Sequence, residues 1–218
     1  MQIIMKCWRY KLDHDYGFAP NPFWGIMSLA TCKDQIRKSP NLEIGDWIVG
    51  LGSKSMKNLG HIIYAMKVEK IITFDEYWSN PKFECKRPVI KGMLCQMYGD
   101  NVYHTVNGKM VQEHCAHSLA SGEVNEEHYK RDVRGENVIL SKHFYYFGDH
   151  NFKLPERFEY ISNIQKRGNR QYSDLNEEQI HDFVSWLESN YTVGIHGDPC
   201  NWKEFKLPKL DIYDDGIE

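Results

Sequence analysis

Apolar residues recur along this chain in short runs broken by turn residues, and only once in a sustained helical rhythm. Late in the chain Ile180, Phe183, Val184 and Leu187 recur at i, i+3, i+4 and i+7 behind a capping box of Asp174 and Glu177, which predicts one amphipathic helix. Elsewhere the period is that of strands. Residues 3–12 alternate apolar and basic positions and read as a first strand; residues 47–52 read as a short buried strand whose Gly50 and Gly52 suggest a bulge or close backbone approach. Residues 60–72 and 137–147 read as two further strands, the second ended by Gly148. Asn107-Gly108, between two short alternating runs, predicts a tight hairpin because both central residues need positive φ. Short helices are expected behind Thr31 with Asp34, behind Thr73 with Glu76, and over residues 125–131.

These elements predict an α+β fold: a strongly curved, mainly antiparallel sheet or small barrel, with short helices at its rims and one C-terminal amphipathic helix. Residues 1–172 would form the core, and residues 173–218 the helix and an acidic tail (Asp211, Asp214, Asp215, Glu218), in a single domain overall. The connection over residues 13–25, holding Gly17, Pro20, Asn21 and Pro22, is long enough to be a binding loop or a plain surface crossover.

Composition narrows this picture. Apolar residues make up 41% and aromatics 13%, which excludes disorder, and no run approaches the ~20 apolar residues that a bilayer crossing requires. Six cysteines without paired spacing suit free thiols, so a cytoplasmic location is expected. The net charge of −3 conceals an asymmetry: residues 1–91 carry 14 Lys+Arg against 9 Asp+Glu, a surplus of 5, and the remainder is acidic. Any nucleic-acid partner would meet the first half, although ordinary solvated surface accounts for the asymmetry equally well.

Signatures of the common enzyme classes are missing: there is no Walker-type loop, Rossmann fingerprint, serine elbow or zinc-protease helix. The glycines around Lys54 and Lys57 suggest a flexible turn more than a phosphate cradle. His104, His114 and His117 lie close in sequence, with Cys95, Cys115 and His143 as further candidate metal ligands, yet their spacing matches no standard site and neither a metal nor another cofactor is expected. Cys32, at the start of the first short helix beside Lys33, is a candidate nucleophile; with no partner base identifiable nearby, a small apolar residue under a helix end is the favoured reading. A ligand-binding constellation is drawn from Asn21, Trp24, Lys33, Arg37 and Trp47 in the first third and Tyr103, His104 and Phe144 later, because flat rings stack on bases while amides and cations read edges and phosphates.

The order of segments carries a resemblance. Asp15, Gly17, Ala19, Pro20 and Asn21 are followed by Leu29-Ala30-Thr31-Cys32-Lys33 with Arg37, then by Gly45-Asp46-Trp47-Ile48-Val49-Gly50. Gly99-Asp100-Asn101 with Tyr103, then His117, then Ser141 to Gly148 with Pro155 complete it, over about residues 3–215. This resembles the second branch of the nucleotide modification associated domain family, which implies a bacterial or phage protein encoded beside machinery for modified nucleotides and transfers no catalytic residue. Residues 45–68 are also similar, at fold level, to the paired strands of PUA-like base-reading barrels.

Together these readings lead to a PUA-like binding module that recognises a modified base or nucleotide, with Trp24, Trp47 or Tyr103 stacking and Asn21, Lys33 and Arg37 making polar contacts. The alternatives are an enzyme acting on a nucleotide or base, through Cys32 or a metal at His104, His114 and His117, and a sponge for a signalling nucleotide. A nucleotide or modified nucleic acid is the expected partner, a membrane is not, and a homo-oligomer is left open.

Overall fold

Alternation along the strands, broken at Ile63 and Tyr64, which share a face, sorts the apolar side chains onto two faces of one sheet. In the computed structural model, which describes residues 5–164 and 175–205, the central sheet contains β1 (Cys7–Lys11), β3 (Trp47–Leu51), β4 (His61–Lys67), β9 (Phe144–Tyr146) and β11 (Gly194–Ile195) in that spatial order, with β10 (Phe152–Lys153) pairing the start of β4. β1 runs parallel to β3 and β9 to β11, while β4 is antiparallel to both of its neighbours, β3 and β9. Cys7, Trp47, Val49, Leu51, Ile62, Ala65 and Tyr145 point to one face, and Trp8, Tyr10, Ile48, Ile63, Tyr64, Met66, Phe144 and Tyr146 to the other. Because both faces are covered, these strands read as nearly continuous apolar runs.

The first face is covered by α6 (Glu177–Asn190), whose Ile180, Phe183, Val184 and Leu187 are buried as its spacing required, and by Ile161 of α5 (Glu159–Ser162). Its cap is Asn176 with Gln179, a full capping box; Asp174 lies outside the described residues, as does the acidic tail. The second face is covered by a three-stranded antiparallel sheet in the order β2 (Met27–Leu29), β8 (Asn137–Ser141) and β5 (Lys70–Thr73). A third core lies on the far side of that sheet, against α2 (Phe74–Ser79) and the hairpin of β6 (Tyr103–Val106) and β7 (Lys109–Gln112). α1 (Asp34–Arg37), α3 (Leu94–Met97) and α4 (Glu126–Val133) complete the helices.

Local chemistry explains what was legible. Asn107 and Gly108 have φ of 50° and 75° in the hairpin turn. Thr73 and Glu76 form the expected capping box on α2. The register shifts between Gly50 and Leu51, and a Cβ on Gly50 would stand 2.1 Å from the ring of Tyr64, whose hydroxyl is itself held at 2.5 Å by that of Tyr10.

Four expectations are corrected. No sheet closes into a barrel among the described residues; the strands form open sheets stacked on one another. Residues 60–72 and 137–147 each divide into two strands in different sheets, β4 then β5 and β8 then β9, because both runs cross between sheets at one place, where the Glu69 carboxylate accepts the backbone N–H groups of Lys142 and His143. Finally, Thr31 does not cap α1. Cys32 and Lys33 both turn left-handed, so Lys33 takes the cap position without a side-chain bond, and the buried Thr31 hydroxyl has no hydrogen-bond partner among the described residues.

Candidate active site

That left-handed pair is where the chain's chemistry gathers. Two consecutive non-glycine residues at φ 53° and 41° are costly, about 1–3 kcal/mol each, and such strain persists only where the surroundings over-determine it. Here the surroundings are visible. The backbone N–H of Cys32 donates to Asp132 Oδ1 at 2.8 Å, and its carbonyl accepts from Arg37 Nε at 2.7 Å. Arg37, fully buried, also donates to the carbonyls of Asn137 and Asp132, so one guanidinium ties the Cys32 turn to the end of α4 and the start of β8. A side chain at Gly135 would collide with it. Arg134 Nε, bonded to Asp34 Oδ2 at 2.7 Å, makes a second tie between α1 and α4.

Held in this way, the Cys32 thiol faces His117. Sγ lies 3.6 Å from Nε2, and on the opposite side of the ring Nδ1 lies 2.5 Å from Asp132 Oδ2. Asp132 also accepts from the Tyr103 hydroxyl at 3.0 Å, and Gln112 Nε2 donates to that hydroxyl. Phe18 and His128 pack edge-on against the imidazole at 4.8 and 4.3 Å, fixing its plane. The result is a cysteine, a histidine and an orienting carboxylate in line, the arrangement of nucleophilic triads.

Electrostatics support the pairing. Burial alone would lower the pKa of His117, but the hydrogen bonds to Asp132 and Cys32 outweigh it and raise the value to about 9. Burial would raise Asp132, and its bond to His117 instead holds it below the usual carboxylate value. Because the folded value of His117 exceeds its ordinary 6.5, the imidazolium's contribution to stability is complete below pH 6.5 and is lost as pH rises toward 9; that of Asp132 is lost at the acid end, as pH falls below 3.8. Thermal unfolding followed between pH 6 and 10 should therefore lose up to about 3 kcal/mol in wild type and much less in His117→Asn. Equal profiles would show that His117 is not held as the cation.

The same three residues bring one potential metal-ligating atom each within 4.8 Å of one another. The directions suit a triad better. Sγ and the carboxylate lie against different ring nitrogens, and both carboxylate oxygens already accept hydrogen bonds. One ion cannot take all three ligands without breaking that set.

Cys32 and His117 line a cavity of about 790 Å³, within the range of small-molecule sites. Lys33, Arg131, His14, His114 and His128 contribute to its wall, as do Phe18, Leu119, and the rings of Tyr16 and Tyr98, which stack at 5.4 Å and 10°. Burial lowers the pKa of His14, and the charge of Lys33 lowers it further; burial pushes Tyr98 up to about 12.

Of the eight ligand-binding residues expected from sequence, Lys33 alone lines this cavity. Three of the four expected Trp, Tyr and Phe rings fall in three separate cores: Trp47 under α6, Phe144 between the two larger sheets, and Tyr103 beneath the hairpin. They do not converge, because strand alternation buried them on different faces. Asn21 is buried as a clasp, donating to the Tyr98 carbonyl and accepting from Lys86 Nζ, whose pKa burial lowers to about 8. Trp24 is exposed and lies outside the cavity, and Arg37 is occupied by backbone carbonyls. His104 is paired with Glu113 at 2.7 Å and stacked on Trp78. His104, His114 and His117 do not gather as ligands of one ion among the described residues. The statement that Cys32 has no nearby base is also overturned, since His117 arrives from 85 residues away.

Fold and site together define a class: an α+β protein with a cysteine, histidine and aspartate aligned at the wall of a cavity. More particularly, the chain belongs to the nucleotide modification associated domain 2 family, whose model matches residues 4–206, and this associates it with nucleotide or DNA modification systems. Comparisons with curated proteins and with solved structures returned no match. No helix among the described residues is long and apolar enough to cross a membrane.

Proposed function

We propose that the protein is an enzyme of nucleotide or base modification that forms a covalent intermediate on Cys32. The observation that carries this reading is the alignment of Cys32 Sγ, the His117 imidazole and the Asp132 carboxylate, with Sγ 3.6 Å from Nε2 and Nδ1 2.5 Å from Oδ2. Such an alignment serves transfer or hydrolysis at an acyl or amide carbon. The Cys32 sulfur, as thiolate beside the His117 imidazolium, adds to the carbonyl carbon and forms the S–C bond. The leaving group departs with the proton from Nε2. Water then attacks the thioester carbon and passes its proton to Nε2, the S–C bond breaks to return the Cys32 thiolate and release the acid, and Asp132 keeps Nδ1 protonated throughout.

The test is intact-mass spectrometry after rapid acid quench, with a panel of nucleotides and bases bearing acyl, amide or carboxamide groups. One member should add its acyl mass to wild type and to Asp132→Asn, more slowly in the latter, and not to Cys32→Ala. Saturable binding of modified bases, unchanged in Cys32→Ala and without adduct or turnover for any member, would instead support a module that only recognises its ligand.

A further inference from the structure

Two cations of the cavity wall, Lys33 and Arg131, make no side-chain hydrogen bond to a carboxylate among the described residues. Lys33, beside the nucleophile, holds its ammonium 4.3 Å above the Tyr10 ring, and that ammonium makes no hydrogen bond or ion pair with any described residue. Arg131 approaches the site from α4; its Nε is 3.8 Å from Asp132 Oδ1 and has no hydrogen-bond partner. The two cations are close enough for Arg131 to lower the pKa of Lys33, as burial does more strongly. The carboxylates nearby are largely committed. Asp132 serves His117, Tyr103 and the Cys32 backbone, and Asp34 serves Arg134 and Gln35. Asp13, exposed at the rim, is left to face Lys33.

A cation desolvated against a ring, with one exposed carboxylate opposite it, loses hydration that an incoming anion can replace with a charge-assisted hydrogen bond. The same cavity is lined by the stacked pair Tyr16 and Tyr98, and its volume holds one nucleotide with room for a substituent. We propose that the cavity takes a nucleoside monophosphate unit, with the phosphoryl group between Lys33 and Arg131 and the base toward Tyr16 and Tyr98. This rests on the reading of the cavity as the reaction site and narrows its substrate to phosphorylated nucleosides.

The test uses the full chain with the deoxynucleoside 5′-monophosphates, the matching deoxynucleosides, inorganic phosphate and a short single-stranded oligonucleotide. Calorimetry should show at least one monophosphate binding about tenfold or more tightly than its nucleoside, the worth of one charge-assisted hydrogen bond. That monophosphate should slow iodoacetamide labelling of Cys32, and inorganic phosphate should compete with it. Lys33→Met and Arg131→Gln should each remove most of the preference, while Lys33→Arg keeps it and shows that the turn still folds. Equal binding of nucleoside and monophosphate, or binding of the oligonucleotide alone, would overturn the proposal. The two readings fail separately. A phosphate preference in a protein whose Cys32 labels no faster than in His117→Asn leaves the anion site standing and removes the nucleophile, and the reverse pattern does the opposite.

Discussion

Cys32 is expected to react with iodoacetamide about tenfold or more faster than Cys85 in the same molecule at neutral pH, and His117→Asn should erase the difference. Cys85 is exposed and serves as an internal reference for an unassisted thiol. Three of the other four cysteines are poor competitors: Cys7 and Cys115 are buried, and burial with nearby Asp15 pushes the Cys200 thiol far up, where it donates to the Gly148 carbonyl; half-buried Cys95 is a second reference beside Cys85. Peptide mapping by mass spectrometry reads both sites at once. In a turnover assay Cys32→Ala should lose a factor on the order of 10³ or more, because triad members act as a unit, and adding His117→Asn should cost little beyond that. Additive losses would mean that the two residues do not share one step.

Arg37→Leu should cost about 3–5 kcal/mol in denaturant unfolding and slow Cys32 labelling in the protein that remains folded. The guanidinium is buried over the ring of Phe74 and donates to three backbone carbonyls, so its removal takes one donor from each, the Asp132 carbonyl keeping the Gly135 N–H. Asn137, whose side-chain amide donates to the Arg37 carbonyl, would be loosened with it. Arg37→Lys is a sharper probe, since a single ammonium cannot reach along three directions. It should recover part of the stability while Cys32 labelling stays slow, because the turn at residues 32–33 depends on the bond from Nε to the Cys32 carbonyl. A variant with wild-type unfolding and labelling would show that the clasp does not position the nucleophile.

Elements governed by neighbours in sequence were legible. The Asn107-Gly108 turn, the Thr73 and Glu76 box, and the buried stripe of α6 each depend on residues within a few positions of one another. The cross-over at Glu69 was not, because its carboxylate is matched by backbone groups 73 and 74 residues away. The site followed the same division. Cys32 and His117 were each visible as reactive residue types, but in unrelated roles, and Asp132 was missed. A signal did exist for it: within α4, Tyr129 and Val133 mark the inward side, and an aspartate between them at 132 is a carboxylate placed where an apolar residue would pack. The expected aromatic cage failed because type and order along the chain do not reveal which face of which sheet a ring will occupy.

The clasp made by Arg37 grips main-chain oxygens, and those are the same whichever side chains stand at positions 32, 132 and 137. Exchanging the sulfur for another function leaves every one of these bonds in place, whereas exchanging the Asp132 carboxylate removes the acceptor of the Cys32 N–H, so the frame tolerates a change of side chain at position 32 more readily than at 132.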